Sequence, residues 1–299
     1  MRWILGMAGL LLSVPASAQQ WLPPHDAVHL AIDAQPNVVA ARARLDAAQA
    51  QARALRVGSH EFQVTVVSQR RSTDELGGRQ RFAESEIGIS RALRLPGKAR
   101  LDRDIGAAGI DSAELRLDDA RHQAARLLLE DWMAWLRAAE AVQRTSVQLA
   151  SFDQEQRVLV RRLALGDVAQ KEVELLEVER AQARAAQLAA QAALDSARLA
   201  MQSDFPSLPI PAHAPDVAAP LVLQGTAEAW IARIIARSHE IGALESDARG
   251  AEARAARARA DRIADPTLGL RRLSERGGAE QVNGVVLSLP LGGRYRSAL

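Results

Sequence analysis

One stretch of the sequence, Leu95 to Gln202, constrains the fold more than any other. It is rich in alanine, leucine, arginine and glutamate, which are strong helix formers, and it contains no proline after Pro96. Gly166 stands between two long glycine-free runs, and glycine readily adopts the positive φ that ends a helix. The stretch therefore predicts a helical hairpin that turns near residues 163–169. At ~1.5 Å rise per residue its arms would be roughly 90–100 Å and about 50 Å long, so they need other long helices to pack against.

The composition favours helical packing and excludes several classes of protein. Apolar residues make up 48% of the chain but aromatic residues only 3%, so the apolar mass is mostly alanine and leucine, which suits close-packed helices. The net charge is +2, and arginine alternates with acidic residues, which indicates solvated helix faces rather than a nucleic-acid-binding surface. The absence of cysteine excludes disulfides, thiolate metal sites and a lipidated N-terminal cysteine.

The N-terminus has the three parts of a secretory signal peptide. Arg2 supplies a positive charge, Trp3–Val14 is apolar and uncharged, and Ala16-Ser17-Ala18 is typical of a cleavage site. The alternative is an uncleaved anchor, but the apolar run is shorter than the ~20 residues that a membrane-spanning helix needs. We therefore expect a signal peptide at residues 1–18 and an exported mature protein.

The hydrophobic period changes from 3.6 to 2 at two places, which predicts two β-hairpins. Apolar and polar side chains alternate in Glu61–Leu93 on both sides of a polar loop, and the pattern recurs in Pro266–Leu289. Each strand of the first hairpin is expected to be about ten residues long, close to the ~9–11 residues of a transmembrane β-strand. Alternation alone leaves two interpretations open: strands of a membrane barrel, or a small soluble hairpin that caps a helical bundle.

The order of these elements occurs twice, which indicates a tandem repeat. The predicted organisation is a signal peptide (1–18), a first repeat (19–203), a proline-rich linker (204–225) and an incomplete second repeat (226–299). The first repeat contains a helix, a β-hairpin (61–93) and the long helical hairpin (97–202), and the second contains a helix and a β-hairpin (266–290). The second copy ends within a few residues of the point where its own helical hairpin would begin.

At three places the chain resembles the TolC family of outer-membrane efflux channels. These are the helix opening Pro36–Gln51, the paired strand hairpins, and Arg161–Val168, whose sequence RRLALGDV is similar to that family's hairpin-tip pattern. Gly97-Lys98 and Gly292-Gly293-Arg294 are similar to the heavy-metal branch of the family. The resemblance implies a mostly α fold with two β-hairpins, in which long helical hairpins form a coiled-coil barrel and the strands join a shared transmembrane β-barrel.

The resemblance also implies a function and its partners. The chain would be the outer-membrane channel of a tripartite efflux pump, a passive exit duct for small molecules or metal ions, located in the outer membrane and periplasm. Its expected partners are two sister chains in a homotrimer, a periplasmic adaptor (membrane fusion) protein, an inner-membrane transporter and outer-membrane lipid. The hairpin tip, Leu165, Gly166, Asp167 and Val168, would contact the adaptor. An open sheet edge is not tolerated in hydrocarbon, and four strands cannot close a barrel alone, which independently favours shared strands.

Two alternatives remain open at this point. A periplasmic coiled-coil adaptor would also carry a long alanine-rich hairpin, although one strand hairpin before it and another after a proline linker fit that class poorly. A truncated, non-functional fragment of an efflux channel would explain the missing second helical hairpin. In that case we expect that this chain alone does not form a tight conducting trimer.

The sequence gives no indication of an enzyme. Its six histidines are scattered, and no HExxH, GxSxG or phosphate-cradling glycine loop occurs. We therefore expect no catalytic residues, no cofactor and no metal site, since a duct that releases metal ions does not need to hold them tightly.

Overall fold

The computed structural model describes residues 21–58, 60–75, 77–217, 219, 222 and 224–290. Its helices are α1 (His25–Asp33), α2 (Pro36–Val57), α3 (Pro96–Ala164), α4 (Gln170–Asp204), α5 (Ala227–Ala236) and α6 (His239–Ala260). Its strands are β1 (Phe62–Glu75), β2 (Gly78–Ala92), β3 (Thr267–Glu275) and β4 (Glu280–Ser288), with a 3-10 turn at Arg276–Gly278. This order confirms the expected mostly helical fold with two β-hairpins and one long helical hairpin.

Two predicted features lie outside the described residues. These are the signal peptide at 1–18 and the turn Gly292-Gly293-Arg294. The division into two repeats and a linker likewise stays a prediction. None of the helices in the described part of the chain is long and apolar enough to cross a membrane.

The long helical hairpin turns where its sequence predicts. Helix α3 runs for 69 residues without a break and begins at Pro96, whose fixed φ suits the first position of a helix. It ends at Ala164, Gly166 has a φ of +74°, and α4 begins at Gln170. Helix α4 ends just before Pro206, the first proline after Pro96. The helix-forming residues, together with Gly166 and Pro206, which end α3 and α4, therefore determine this element locally.

Contacts divide the chain into two compact units. The first comprises the residues up to Val39 and those from Ala120 to Ala229. Its core contains Trp132 and Trp135, both 1% exposed, whose ring centroids lie 4.9 Å apart. The remaining large buried side chains of this core are Met201, Phe205 and Leu208. Three of the ten aromatic residues of the chain, Trp132, Trp135 and Phe205, are thus buried in the core of this unit.

The second unit comprises residues 40–119 and 230–299 and contains the whole sheet. Its strands pair antiparallel in the order β1-β2-β3-β4, so the pairing of β2 with β3 joins the two hairpins, with Ile89 opposite Leu270. Small residues bring its helices together: a Cβ at Gly106 of α3 would lie 3.0 Å from the Cβ of Ala52 in α2. Ser112 of α3 donates a hydrogen bond to Asp247 of α6 at 2.7 Å.

The expected strand length of about ten residues is wrong for the first hairpin. β1 has 14 residues and β2 has 15. The clear alternation of apolar and polar residues stops near Gln69, but the backbone pairing continues through charged residues to Glu75 opposite Gly78. Ladder hydrogen bonds join backbone groups and do not depend on side-chain polarity. A pattern of period 2 therefore locates a strand by its half-apolar part and misses a polar extension.

Candidate functional site

One face of the four-stranded sheet is apolar and exposed. Directly paired residues of antiparallel strands point to the same side, so the register places one set of side chains on one face. The apolar members of this set are Phe62, Val64, Val66, Ile87, Ile89, Leu268, Leu270, Val285 and Leu287, and the register places Arg91, Arg272 and Asn283 on the same face beside them. Val66 is 72% exposed and Val285 is 70% exposed. Monomeric soluble proteins rarely expose a continuous apolar surface of this kind, so this face requires an apolar neighbour.

The opposite face is mostly polar and rich in glycine. Thr65, Glu86 and Arg271 lie on it, with Gly88 and Gly284 paired to Arg271 from the two neighbouring strands. A Cβ at Gly284 would lie 3.6 Å from Nε of Arg271, so the glycine leaves room for the arginine to lie along the sheet. The two faces therefore suit different surroundings, one apolar and one aqueous.

The sheet has two open edges. Within the described residues, β1 and β4 each pair with a single neighbour, β2 and β3 respectively. The outer backbone N–H and C=O groups of a 14-residue strand and a 9-residue strand are therefore available for pairing with another chain.

A charged cluster, which we call the junction cluster, lies where the strands meet the helices of the second unit. Lys98, at the start of α3, is only 3% exposed. Its Nζ donates to the backbone oxygen of Ile263 at 2.6 Å and pairs with Asp261 at 3.2 Å and Asp265 at 3.0 Å. An ammonium group has three donors, so these three acceptors satisfy it completely.

Asp265 connects the junction cluster to both hairpins. One carboxylate oxygen lies 2.8 Å from Nε2 of His60, just before β1. The other accepts a hydrogen bond from the backbone N–H of Leu95 at 3.2 Å, between β2 and α3. Asp265 itself stands just before β3. One carboxylate thus fixes three of the chain's crossings between helix and strand.

A third carboxylate extends the same network. Asp102 of α3 pairs with Arg94 at 3.0 Å and with Arg257 of α6 at 2.7 Å. Arg257 also pairs with Asp261, and Arg94 donates to the backbone oxygens of Leu55 and Arg56 at the end of α2. The charges therefore join α2, α3 and α6 at the place where the sheet begins.

Two carboxylates of the junction cluster, Asp261 and Asp265, have pKa values below their ordinary range. Burial, the largest single influence, raises the pKa of Asp265, but hydrogen bonds from His60, Lys98 and Leu95 outweigh it and lower that pKa. Burial likewise opposes the lowering of the pKa of Asp261, which hydrogen bonds from Arg257 and Lys98 bring about. Both groups are therefore held as carboxylates at neutral pH, which suits a permanent structural role.

The predicted adaptor-contact residues form the tip of the helical hairpin. The backbone N–H of Gly166 donates to Leu163 at 2.9 Å, and that of Asp167 donates to Arg162 at 3.0 Å, which satisfies the last carbonyls of α3. Asp167 also accepts a hydrogen bond from Nε of Arg162 at 2.8 Å. This interaction raises the pKa of the Arg162 guanidinium.

The tip presents an apolar side chain to solvent. Leu165 is 79% exposed, Gly166 and Asp167 are exposed, and Val168 is half-buried. The structure therefore brings the four predicted residues together in one turn whose hydrogen bonds are all local. A turn that satisfies its own backbone leaves its exposed side chains available for recognition.

The described part of the chain contains no group of three or more histidine, aspartate or glutamate side chains that could hold a metal ion.

Solved structures of similar fold are outer-membrane channels. CusC, whose structures describe folding and transmembrane channel formation, has a TM-score of 0.70 at 15% identity, over 91% of this chain and 66% of CusC. The outer-membrane channel OprN has a TM-score of 0.65 at 18% identity, over 89% of this chain and 63% of OprN. The outer membrane protein VceC from Vibrio cholerae has a TM-score of 0.60 at 19% identity, over 91% of this chain and 69% of VceC.

The chain has the TolC-family channel fold. It spans about two thirds of the length of these channels. No family model and no curated protein matches the sequence. The assignment of the TolC fold therefore rests on the three-dimensional arrangement. The sequence resemblance in the hairpin tip, the helix opening and the paired strands predicts that arrangement.

Sequence reasoning found the sheet and the tip of this TolC fold but missed the junction cluster. It named Lys98 only in the pair Gly97-Lys98, which is similar to the heavy-metal branch of the family. A usable signal was present: Lys98 and Lys171 are the only lysines among 38 basic residues, so the chain otherwise uses arginine. Its partners Asp261 and Asp265, however, lie more than 160 residues away, and no local pattern connects them.

Proposed function

We propose that the protein is an outer-membrane channel component of a tripartite efflux pump, a passive exit duct for small molecules or metal ions. The observation that carries this proposal is the four-stranded sheet, with one exposed apolar face, one polar face and two open edges. In the proposed assembly the apolar face contacts outer-membrane lipid and the polar face lines an aqueous passage.

The open edges support a shared barrel. In hydrocarbon each unpaired backbone group costs several kcal/mol, so strands that enter a membrane must belong to a closed sheet. Four strands are too few, because the smallest bacterial barrels have about eight. The edges of β1 and β4 therefore pair with sister copies of this chain, and the proposed assembly is a homotrimer of twelve strands, four from each chain.

The hairpin tip is the proposed contact for a periplasmic adaptor protein, which in turn joins the channel to an energised inner-membrane transporter. Leu165 supplies an exposed apolar contact, and Gly166 allows the tight turn that presents it. An export signal at residues 1–18 would deliver the chain to the periplasm.

Single cysteines test the membrane proposal without interference, because the chain has no cysteine of its own. Thr65 and Val66 are neighbours in β1 whose side chains point to opposite faces. In intact outer membranes, a hydrophilic maleimide should label Thr65→Cys through the aqueous passage and should leave Val66→Cys unlabelled. Brominated lipid should quench a fluorophore carried at Val66→Cys and should leave one at Thr65→Cys unquenched. Equal labelling of both cysteines would contradict the membrane location.

Two experiments separate this proposal from its two rivals. A barrel protein stays with the outer membrane after a carbonate wash, whereas a periplasmic coiled-coil adaptor is released. The fragment alternative, in which this chain alone forms no tight conducting trimer, is tested by cross-linking and by single-channel conductance of the purified chain in bilayers. A stable conducting trimer would overturn the fragment interpretation.

The tip proposal has its own test. Leu165→Glu should weaken cross-linking to the adaptor and reduce efflux without changing stability, because the side chain is 79% exposed. Leu165→Met is the matched control and should keep both, since it preserves apolar character and volume. Normal cross-linking and efflux in the glutamate variant would exclude the tip as the contact.

A further inference from the structure

Two exposed histidines lie on the same side of α1. His25 and His29 are four residues apart in this helix, and side chains at that spacing are neighbours on a helix surface. Their Nε2 atoms lie 3.1 Å apart, whereas the centroids of the two rings lie 4.3 Å apart. The rings therefore turn their Nε2 edges toward each other.

The separation of the two nitrogens fits a shared metal ion. A histidine nitrogen binds a metal such as zinc at ~2.0–2.1 Å, so two such ligands in right-angled or tetrahedral positions lie about 2.9–3.4 Å apart. The observed 3.1 Å is within this range. The same spacing of two histidines, i and i+4 on a helix, holds zinc in the HExxH motif. The backbone of α1 thus already presents the pair at a separation that suits metal binding.

Helix α1 is fixed in the first unit, and this fixes the histidine pair. Ala31 is 2% exposed and Ile32 is 8% exposed, so the C-terminal half of the helix is anchored in the core. Asp33 pairs with Arg121 of α3 at 3.1 Å. Because the helix is already ordered, two ligands on it bind one ion without the entropy loss of ordering a flexible segment.

The charges around the pair favour a cation. Oδ1 of Asp26 lies 3.7 Å from Nδ1 of His25. A carboxylate on that side of the ring favours the tautomer with its proton on Nδ1, which leaves the lone pair of Nε2 for a metal. The carboxylate also offsets the partial positive charge of the helix N-terminus.

Two nitrogen ligands that are open to solvent suit copper. The side chain of His25 is 83% exposed and His29 is exposed, so water can occupy the other coordination positions. Tetragonal sets of nitrogen and oxygen ligands are typical of Cu²⁺ and Ni²⁺, and for a given site the affinity is highest for Cu²⁺.

We propose that His25 and His29 form a binding site for Cu²⁺, in which both Nε2 atoms are ligands and water completes the coordination. The expectation of no metal site came from the scatter of the histidines along the sequence, which this pair does not share. The site goes beyond the proposed duct and does not depend on it, since both ligands lie on one helix of the first unit.

The test titrates Cu²⁺ into the full chain in detergent, purified without a histidine tag and stripped of metal with EDTA. Calorimetry should show saturable binding, and the electron paramagnetic resonance spectrum should show coupling of Cu²⁺ to two nitrogens. His25→Ala and His29→Ala should each weaken binding at least about tenfold, because each removes one of the two protein ligands. His122→Ala is the matched control, since His122 is exposed on α3, and it should leave the affinity unchanged. Equal affinity in the His25→Ala and His122→Ala variants would overturn the proposal.

A shifted pair tests the spacing separately from the number of histidines. Leu30 is 70% exposed, so the fold should tolerate Leu30→His. Combined with His29→Ala, this change keeps two histidines but places the second about 140° around the helix from His25. The double variant should bind Cu²⁺ as weakly as His29→Ala alone. Affinity equal to that of the unaltered chain would contradict the assigned site, as would tighter binding of Zn²⁺ than of Cu²⁺.

Discussion

The junction cluster and the hairpin tip both redirect the chain, but they do so by opposite means. In the junction cluster most of the charges are buried and the contacts of Lys98 are long-range, as with the backbone oxygen of Ile263, which lies 165 residues away. In the tip the ion pair is exposed and joins residues five positions apart, Arg162 and Asp167. The junction cluster therefore depends on the assembled unit, whereas the tip is determined locally. A locally determined turn can change its side chains to suit a partner without loss of the fold.

The largest expected effect is at Lys98. Replacing Lys98 by Met leaves Asp261 and Asp265 without their shared cation, and breaking a buried charge pair typically costs about 3–5 kcal/mol. Urea unfolding of the purified chain should show this loss. Lys171→Met is the matched control, because the only other lysine is exposed on α4, and its effect should stay within about 0.5 kcal/mol. A loss below about 1 kcal/mol for Lys98→Met would show that the cluster relaxes and that the two regions differ less than proposed.

Acid should weaken the junction cluster. The pKa values of Asp261 and Asp265 are lower in the folded protein than their ordinary value of 3.8. Such groups stabilise the fold above pH 3.8, and this stabilisation is lost as the pH falls from 3.8 through their lowered folded values. Urea titrations between pH 7 and pH 2 should show this fall, with a smaller slope in Lys98→Met. An equal slope in both proteins would contradict the role of Lys98.

Two glycines sharpen the comparison at the level of the backbone. A Cβ at Gly269 in β3 would lie 2.9 Å from the Cβ of Ser90 and 3.2 Å from the backbone oxygen of Ile89. Gly269→Ala should therefore destabilise the sheet by about 1–3 kcal/mol through overpacking. Gly88→Ala is the control in the neighbouring strand, where the corresponding contact is 3.5 Å, and should be nearly neutral. Equal effects in urea unfolding would show that the strands adjust freely.

The sequence predicts the elements that depend on local rules and misses those that depend on distant partners. The helical hairpin follows from a proline-free run and Gly166, and the sheet follows from alternation in Glu61–Leu93 and Pro266–Leu289. The buried state of Lys98 does not follow, because lysine is almost always exposed and its acceptors come from another part of the chain.

The tip glycine should have a smaller effect than Gly269, and for a different reason. No heavy atom beyond the residue and its chain neighbours lies within 4 Å of a Cβ at Gly166 in the described structure, so space is not limiting there. Its φ of +74° is the constraint, and a non-glycine residue in this conformation costs about 1 kcal/mol. Gly166→Ala should lose about that amount in urea unfolding. Gly166→Asn should lose less, because asparagine tolerates this region best after glycine. Equal losses for both variants would indicate steric contact.

The smallest expected effect comes from removing the ion pair between Arg162 and Asp167 in the tip. Asp167 raises the pKa of the Arg162 guanidinium, but the side chains are 49% and 60% exposed, so water and salt screen their attraction. A double-mutant cycle with Arg162→Gln and Asp167→Asn should give a coupling of about 0.2–0.5 kcal/mol at low salt and almost none in molar salt. A coupling above about 1 kcal/mol that persists in high salt would mean that the tip, like the junction cluster, protects its charges from solvent. The tip would then owe its conformation to that ion pair, and substitutions made to probe adaptor contact there would also alter the turn.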